Sequence, residues 1–214
     1  DRRATLDLRL WQEASLSPAG RRIYELELQV VPLLMRATEN GIPLDLDFLR
    51  RTGDDRRSTM QRLASQIGVN PASVLQLRKL LFETHSLPVL AVTKETKEPA
   101  TDKDTLGQIQ LELKPGDPRL ALIDTLLAWK EAESDQRICT ECLKYGEADG
   151  RLHPRFIQTP VSGRLASEGP NVQNKPKHLR DMGLAPPGYL FMQGDYAQLE
   201  LRIYAALARE EVLI

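Results

Sequence analysis

The sequence predicts an α+β protein in which a mostly helical part precedes a part that mixes strands with helix. Two observations support this fold class. Up to about residue 145, apolar residues recur at helical spacing between helix-capping and helix-ending signals. After Gly150, proline and glycine become frequent, and the segments Arg151–Thr159 and Gly188–Tyr196 are typical of strands. Helical spacing returns in the final segment, from Leu199 to Leu207.

Two helices are predicted in the first part of the chain. Leu6–Trp11 has the pattern of the tail of a helix, and Ser17–Gly20 is typical of a turn. Over Ile23–Ala37 apolar residues return at helical spacing, and Gly41 stands where a helix-ending glycine would. Pro32 lies inside this second helix, so we expect a kink there.

Capping residues and breakers separate the next helices. The first of these helices runs from an Asp45 cap to Gly68, and a short second helix is opened by Asn70 and Pro71 and runs through Leu81. A third helix runs from a capping box at Thr101–Asp104 to about Leu113. A longer fourth helix follows the Lys114–Pro118 breaker and includes Leu120 and Ile138. The polar segment Val92–Ala100 predicts a mobile loop or tip.

The composition is that of a globular protein. Of 214 residues 41% are apolar, no apolar run approaches a membrane span, and there is no signal-peptide pattern. We therefore expect a soluble, intracellular protein. The chain starts at Asp1 without an initiator methionine and stops on the apolar run Glu211–Ile214, which predicts a piece of a longer protein.

The only cysteines, Cys139 and Cys142, form a lone C-x-x-C inside a predicted helix. A zinc site needs four ligands, and no second pair exists to complete one. A redox dithiol usually lies at a helix N-terminus beside a βαβ pattern, which is absent here. We predict structural thiols.

The charge of the whole chain is balanced, with 29 Lys+Arg against 30 Asp+Glu, whereas dedicated nucleic-acid binders are usually more basic. Between Arg151 and Arg180, however, the sequence has a basic patch with a single acid, Glu168. Its cations are Arg151, Arg155, Arg164, Lys175, Lys177 and Arg180, and it also contains His153 and His178. Taken alone, this patch favours a solvated basic surface over a binding site.

The strongest candidate for chemistry is Asp195. A predicted apolar strand ends in Gly194-Asp195, and a helix begins within three residues, which places a carboxylate at an exposed strand end. Mg²⁺ prefers one or two carboxylates together with water and phosphate oxygens, so this arrangement suits nucleotide chemistry. The alternative is that Asp195 only caps the following helix.

Three ordered motifs decide between these alternatives. Residues 195–202, Asp-Tyr-Ala-Gln-Leu-Glu-Leu-Arg, closely resemble motif A of family A (polymerase I-type) DNA polymerases. Upstream, Ser162-Gly163-Arg164-Leu165-Ala166-Ser167 resembles the family's Thr-Gly-Arg-Leu-Ser-Ser element, and Pro170–Pro176 resembles its Pro-Asn-Leu-Gln-Asn-Ile-Pro element. On these motifs the chain is identified as a member of that family. It departs from the pattern at Ala197 and at Lys175, where the family has serine and isoleucine.

Weaker resemblance covers nearly all the rest and implies a domain layout. Residues 1–20 resemble the tail of a 3′–5′ exonuclease-like domain, residues 21–44 a palm helix leading to the thumb, residues 45–145 the thumb, and residues 146–214 the N-terminal palm with motif A. The fold implied is a helical thumb followed by part of an antiparallel-sheet palm, with the fingers absent. On this match Asp1 is an exonuclease carboxylate, although without its usual neighbours. The implied location is the cytoplasm of a bacterial or phage-infected cell, with an organelle left open.

The resemblance also assigns roles at motif A. It implies that Asp195 binds both catalytic Mg²⁺ ions and that the Tyr196 carbonyl contributes to one of them. Tyr196, Gln198 and Glu200 are implied to line the nucleotide site, with Glu200 as a steric gate against the ribose 2′-OH. Taken alone, the position of Glu200 favours an acid that stabilises the first turn of a helix over a steric gate.

Template-primer DNA is the implied partner of the upstream motifs. Arg164 would enter the minor groove at the primer terminus, where every base pair presents acceptors. The other predicted DNA-binding residues are Asn171, Gln173, Asn174, Lys175 and Lys177, with the basic patch holding phosphates. Amides in a proline-rich loop often satisfy only local backbone. The thumb lysines Lys94, Lys97 and Lys103 are either duplex contacts or solvated loop charge.

The expected activity is template-directed addition of deoxynucleoside triphosphates to a primer 3′-OH. The fingers helix and the second metal-binding carboxylate do not occur in the sequence, so we expect this chain to need the remainder of the polymerase and to be inactive alone. The alternative is a non-catalytic primer-template DNA-binding module or a split-gene polymerase subunit. A proofreading exonuclease would rest on Asp1 alone.

Overall fold

The computed structural model describes residues 2–160, 163–192 and 194–210. The chain divides into two compact units, Asp1–Leu184 and Ala185–Ile214. The helices of the described residues are α1 (Arg2–Ser15), α2 (Pro18–Asn40), α3 (Leu46–Ile67), α4 (Val74–Arg78), α5 (Lys103–Glu112), α6 (Arg119–Gly146) and α7 (Leu199–Ala208). A π-helical segment, Lys79–Thr84, continues α4, and a 3-10 helix spans Lys177–Met182.

Two small antiparallel sheets accompany these helices. Strand β1 (Ile42–Pro43) pairs with β2 (Arg151–Leu152), and strand β3 (Arg155–Ile157) pairs with β4 (Ala166–Glu168). The described chain is thus mostly helical with four short strands, one between α2 and α3 and three after α6, which confirms the predicted α+β class.

The first hydrophobic cluster joins α3 to α6, with α4, the π-helical segment and α5 packed around them. Its buried members are Leu63, Ile67, Leu77, Leu81, Leu87, Leu106, Ile109, Ile123, Leu126 and Trp129. Burying a leucine or isoleucine side chain contributes roughly 1.5–3 kcal/mol, so this cluster is the main source of stability for the helical part.

The second hydrophobic cluster uses the other ends of the same two helices. Leu44, Leu49, Cys139, Cys142, Leu152, Leu179 and Met182 are buried in it. It attaches strand β2 and the 3-10 helix to the α3–α6 pair, because Leu152 and Leu179 are fully buried there. One long helix, α6, therefore contributes to both clusters.

A buried carboxylate lies on α6 between the two clusters. The Asp135 side chain is only 2% exposed. Its Oδ2 accepts from His178 Nε2 at 2.7 Å, and Arg56 Nε on α3 lies 3.1 Å from the same atom. A charge this deep is stable only when paired, so the three residues join α3, α6 and the 3-10 helix.

Most of the predicted helix boundaries are confirmed. The Asp45 side chain accepts from the Phe48 amide at 2.8 Å and caps α3, and Gly68 ends that helix in the left-handed conformation, with φ of 79°. Gly41 ends α2, and its amide donates to the Ala37 carbonyl. Helix α2 runs unbroken through Pro32, and the kink expected there stays a prediction.

Other helix starts were wrong by a few residues. Ser17–Gly20 is not a turn but the beginning of α2, because the Ser17 hydroxyl accepts from the Gly20 amide and Pro18 occupies the first helical position. Helix α1 spans Arg2–Ser15, so Leu6–Trp11 is helical as predicted, but the helix continues beyond Trp11 to Ser15.

The short helix and the one after it use different caps from those predicted. Asn70 forms a local turn instead, with its side chain accepting from the Ala72 amide, and Ser73 caps α4. At α5 the cap is Asp102 rather than Thr101, because the Asp102 carboxylate accepts from both the amide and the hydroxyl of Thr105.

The polar segment Val92–Ala100 folds back on itself. Val92 and Pro99 form an antiparallel bridge, and the Thr93 amide donates to the Glu98 carbonyl at 2.8 Å. The segment is thus a hydrogen-bonded turn, and its mobility stays a prediction.

Both predicted strands need correction. Arg151–Thr159 is interrupted at Pro154, which has no amide hydrogen for a ladder, so its two halves pair with different strands. Gly188–Tyr196 is not a strand at any of its described residues, 188–192 and 194–196. A strand needs a neighbour for its backbone hydrogen bonds, and no described segment pairs with this one.

Helices α1 and α2 contain no buried residue. Their large apolar side chains are widely exposed, with Trp11 at 65% and Ile23 at 61%. Among the described residues, no helix combines the length and the apolar character needed to cross a bilayer.

A histidine attaches the C-terminal end of α2 to the β1–β2 sheet. His153 Nδ1 lies 2.7 Å from the Thr38 carbonyl oxygen, and Nε2 lies 2.9 Å from Asp149 Oδ2. Gly41 is required beside this ring, since a Cβ there would lie 2.7 Å from His153 Cε1 and its φ is +61°. Both ring nitrogens face acceptors, so only the imidazolium can donate to both.

We predict that His153 makes the stability of the fold depend on pH. The hydrogen bonds to Asp149 and to Thr38 raise the pKa of His153, so its extra stabilisation is complete below the unfolded-state pKa of about 6.5 and is lost as pH rises through the folded-state pKa. In urea titrations, the stability difference between the wild type and His153→Gln should be larger at about pH 5.5 than at about pH 8.5. A difference that stays constant over that range would contradict this role.

Candidate functional site

Asp195 lies in non-helical, exposed backbone ahead of the last helix. Helix α7 begins at Leu199, and its N-cap position is held by Gln198, with φ of 54° and no side-chain capping hydrogen bond. Asp195 therefore does not cap the helix, which excludes helix capping as the role of this carboxylate.

The surroundings of Asp195 leave its oxygens open to a ligand. Within the part of the chain that the structure describes, its carboxylate takes part in no hydrogen bond or ion pair. An exposed carboxylate oxygen is the kind of hard donor that Mg²⁺ takes. Among the same residues no three metal-ligating side chains come together, so Asp195 fits as one ligand of a cation and not as a complete site.

The other motif A residues lie close to it along the chain. Glu200 is in the first turn of α7, as the sequence predicts, and it already interacts within the chain. Tyr196 is 79% exposed, and Gln198 is also exposed. An acid in a first turn is favourable by itself, so the position of Glu200 is compatible with both of its predicted roles.

Arg164 lies in the connection of the β3–β4 hairpin. The register pairs Ile157 with Ala166, so Arg164 stands two residues before the first residue of β4. It follows Gly163, which has a φ of 70°, and is exposed. The hairpin thus holds this guanidinium at its end.

Residues 171–174 form a compact loop beside that hairpin. Asn171 Oδ1 accepts from the amides of Gln173 and Asn174, at 3.0 and 3.2 Å. Gln173 Nε2 donates to the Leu165 carbonyl oxygen at 2.9 Å, and the Val172 amide donates to the Ser167 hydroxyl at 3.1 Å. Asn171 and Gln173 therefore use part of their side chains to shape the loop.

Lys175 points away from the surface. Its side chain is 7% exposed, and its Nζ lies 3.5 Å from Glu141 Oε2 on α6. A buried ammonium is not available to a DNA phosphate, so the structure argues against the contact predicted for Lys175.

Other members of the basic patch also have structural partners. Arg151 donates to the Asn40 carbonyl oxygen at 2.6 Å, Arg155 pairs with Glu168 across the hairpin, and His178 binds Asp135. Lys177 is exposed and makes no ion pair among the described residues. The surface available for phosphates is smaller than the sequence suggests.

The thumb lysines remain on the surface. Lys94, Lys97 and Lys103 are all exposed, and Lys94 and Lys97 lie in the hydrogen-bonded turn over Val92–Ala100. Asp1, the predicted exonuclease carboxylate, lies outside the described residues.

The sequence contains a signal that Asp135 is buried. Along α6 the buried positions run Trp129, Ala132, Asp135, Cys139, Cys142, so a carboxylate occupies a core position of the helical stripe. A charge in such a position requires a partner, which could have predicted a contact with a distant cation. The Lys175–Glu141 pair has no comparable signal, because both residues are also common on surfaces.

The cysteines are part of the core. Cys139 and Cys142 are free and fully buried in the second hydrophobic cluster. Burial raises the pKa of Cys139 to about 11 and raises the pKa of Cys142, so both remain protonated thiols at neutral pH. This environment is typical of structural thiols, because a metal-binding or reactive cysteine needs a lowered pKa that favours the thiolate.

Comparison with known proteins identifies the family. Residues 48–214, more than three quarters of the chain, match the model of DNA polymerase family A. The chain belongs to DNA polymerase family A.

Individual relatives agree with this assignment. The chain is 34% identical over 229 residues to DNA polymerase I of Mycobacterium tuberculosis, and this alignment covers 99% of the chain. It is 29% identical over 205 residues to the thermostable DNA polymerase I of Thermus aquaticus, and this alignment covers 89% of the chain. It spans about a quarter of their length, 24% of each. Among solved structures it is similar to the POL domain of Pol1 from M. smegmatis in complex with DNA primer-template and dNTP, with a TM-score of 0.71 and 30% identity over 86% of this chain and 34% of that one.

Proposed function

We propose that this chain is the thumb and N-terminal palm of an enzyme that copies DNA by transferring deoxynucleotides to a primer 3′-OH. The observation that carries the proposal is the family match over residues 48–214, which includes Asp195 in an exposed position where it caps no helix. The solved relative with primer-template and dNTP adds support, since 86% of this chain superposes on it.

The proposed domain layout follows the two kinds of structure in the chain. Residues 45–145 form the thumb, and they contain the helical cluster of α3, α4, α5 and most of α6. Residues 21–44 and 146–214 form the palm, and they contribute all four short strands. Residues 1–20 are proposed as the end of an exonuclease-like domain.

DNA binding is proposed for the hairpin and loop of the palm. Arg164 at the end of the β3–β4 hairpin reaches the minor groove, where a guanidinium senses pair geometry without reading sequence. The amides of the 171–174 loop lie beside it and contribute further contacts. Exposed cations such as Lys177 hold phosphates, so binding weakens as salt rises.

Nucleotide chemistry is proposed for the start of α7. Asp195 and the Tyr196 carbonyl hold divalent cations, Mg²⁺ by the preference of hard oxygen donors, and these cations supply charge stabilisation for phosphoryl transfer. Glu200, in the first turn of α7, excludes a ribose 2′-OH. Tyr196 and Gln198, both exposed, contact the incoming nucleotide.

The competing function is a module that binds primer-template without turnover. It is favoured by one observation, that no three metal-ligating side chains come together among the described residues. Both proposals expect salt-dependent duplex binding by this chain alone and no primer extension by it. They differ in the longer protein, where only the polymerase should extend a primer.

In the longer polymerase, Asp195→Ala should abolish primer extension, because the cation would lose a ligand. Duplex affinity should change less than about 2-fold, since the carboxylate does not contact DNA phosphates. Extension is measured on a labelled primer-template and affinity by fluorescence anisotropy. Asp181→Ala, which removes an exposed carboxylate from the 3-10 helix, is the matched control and should extend normally. Substantial extension by Asp195→Ala would contradict the metal-ligand role.

In the same protein, Glu200→Ala should raise incorporation of ribonucleotides relative to deoxynucleotides, because the side chain that blocks the 2′-OH is gone. The ratio of kcat/KM for ribonucleotides to kcat/KM for deoxynucleotides should rise at least about 10-fold. This change corresponds to roughly 1.4 kcal/mol of discrimination between the two transition states. Glu210→Ala, which removes an acid just past the end of α7, is the control. If discrimination is unchanged, Glu200 is only a helix-stabilising acid.

A further inference from the structure

Two polar contacts join the segment between β4 and the 3-10 helix to α6. Lys175 Nζ lies 3.5 Å from Glu141 Oε2, and His178 Nε2 lies 2.7 Å from Asp135 Oδ2. The two contacts are three residues apart on the segment and six apart on α6, so they fix its direction as well as its position.

Lys175 is held firmly in this arrangement. Its side chain is 7% exposed, whereas Glu141 is 42% exposed, so the lysine gives up most of its hydration. Its ammonium also lies near Cys142, where its charge opposes the rise that burial causes in the pKa of that thiol. A buried ammonium needs its counterion, and the pair therefore confines the backbone at Lys175 against α6.

The loop just before Lys175 transmits that confinement to the hairpin. Asn171 Oδ1 accepts from the amides of Gln173 and Asn174, which closes the loop. Gln173 Nε2 then donates to the carbonyl oxygen of Leu165, the residue that follows Arg164. Contacts thus run without a gap from Glu141 on α6 to Leu165, the neighbour of Arg164.

We infer that Lys175 is a positioning residue, which through its ion pair with Glu141 places the 171–174 loop and Arg164 for contact with duplex DNA, and that it does not touch a phosphate itself. The inference rests on the proposed DNA-binding function. It replaces the phosphate contact that the sequence predicts for Lys175 with an indirect role. The charge of Lys175 therefore affects DNA affinity through its ion pair with Glu141 on α6 and not through a contact with DNA.

The test uses the 214-residue chain and a labelled primer-template duplex, with affinity measured by fluorescence anisotropy over a series of KCl concentrations. Lys175→Met keeps the hydrocarbon stem and removes the charge, and Lys177→Met does the same at the exposed neighbouring lysine. Each phosphate contact contributes about 0.9 to the slope of log K against log salt. We expect Lys177→Met to reduce that slope by about 0.9 and Lys175→Met to leave it unchanged while weakening binding about 3- to 10-fold.

The partner residue gives an independent arm. Glu141→Gln should weaken binding as Lys175→Met does, although it removes a negative charge, which would strengthen binding if only attraction to DNA mattered. Lys175→Glu combined with Glu141→Lys should restore most of the affinity. A reduced salt slope for Lys175→Met, or tighter binding by Glu141→Gln, would overturn the inference.

Amide hydrogen exchange provides a readout without DNA. In Lys175→Met the amides of Val172, Gln173 and Asn174 should exchange faster, because their acceptors move, whereas Lys177→Met should leave them unchanged. Unchanged exchange in Lys175→Met would overturn the inference. If the wild-type chain fails to bind duplex, both the proposed function and the DNA-binding part of the inference are wrong. Faster amide exchange in Lys175→Met would in that case support only the claim that Lys175 orders the 171–174 loop. Should Lys175→Met fail to fold cooperatively, Glu141→Gln replaces it in both measurements.

Discussion

The packing of α6 against α3 is the contact on which the rest of the Asp1–Leu184 unit depends. The two hydrophobic clusters lie at opposite ends of this helix pair, and strand β2, α5 and the 3-10 helix are attached through them. Between the clusters, buried Asp135 meets Arg56 and His178. The Arg56 and His178 side chains are 33% and 43% exposed, but the Asp135 carboxylate is buried and needs a partner, so this point aligns α3 and the 3-10 helix.

The same helix determines how the cations of the basic patch are used. Lys175 and His178 pair with acids on α6, and Arg155 is paired across its hairpin, whereas Lys177 is exposed and makes no ion pair among the described residues. The cations of the basic patch look alike in the sequence. In the structure, some are bound to acids of the same chain, whereas others are exposed and able to bind a phosphate. Under the proposed function, this division explains how a chain with a net charge of −1 presents a local surface for DNA.

Local signals predicted the helices well, since a cap such as Asp45 and a left-handed glycine such as Gly68 act within a few residues. Strands were predicted poorly, because pairing depends on distant partners: Pro154 divides one predicted strand between two sheets, and 188–192 finds no partner among the described residues. At the candidate site, the sequence located Asp195 and Glu200 through motif resemblance. It could not show that Gln198, not Asp195, occupies the N-cap position, or that Lys175 is buried, because both depend on three-dimensional placement.

We propose that the β3–β4 hairpin and the 171–174 loop form the DNA-binding surface of this chain. The most direct measurement is a titration of the isotopically labelled chain with primer-template duplex, followed by amide NMR shifts. We expect the largest changes on Gly163, Arg164 and residues 171–174. These changes should reverse at high salt, and the exposed helix α1 should be unaffected. Changes confined to α1, or none in the hairpin and loop while the duplex binds elsewhere, would contradict it.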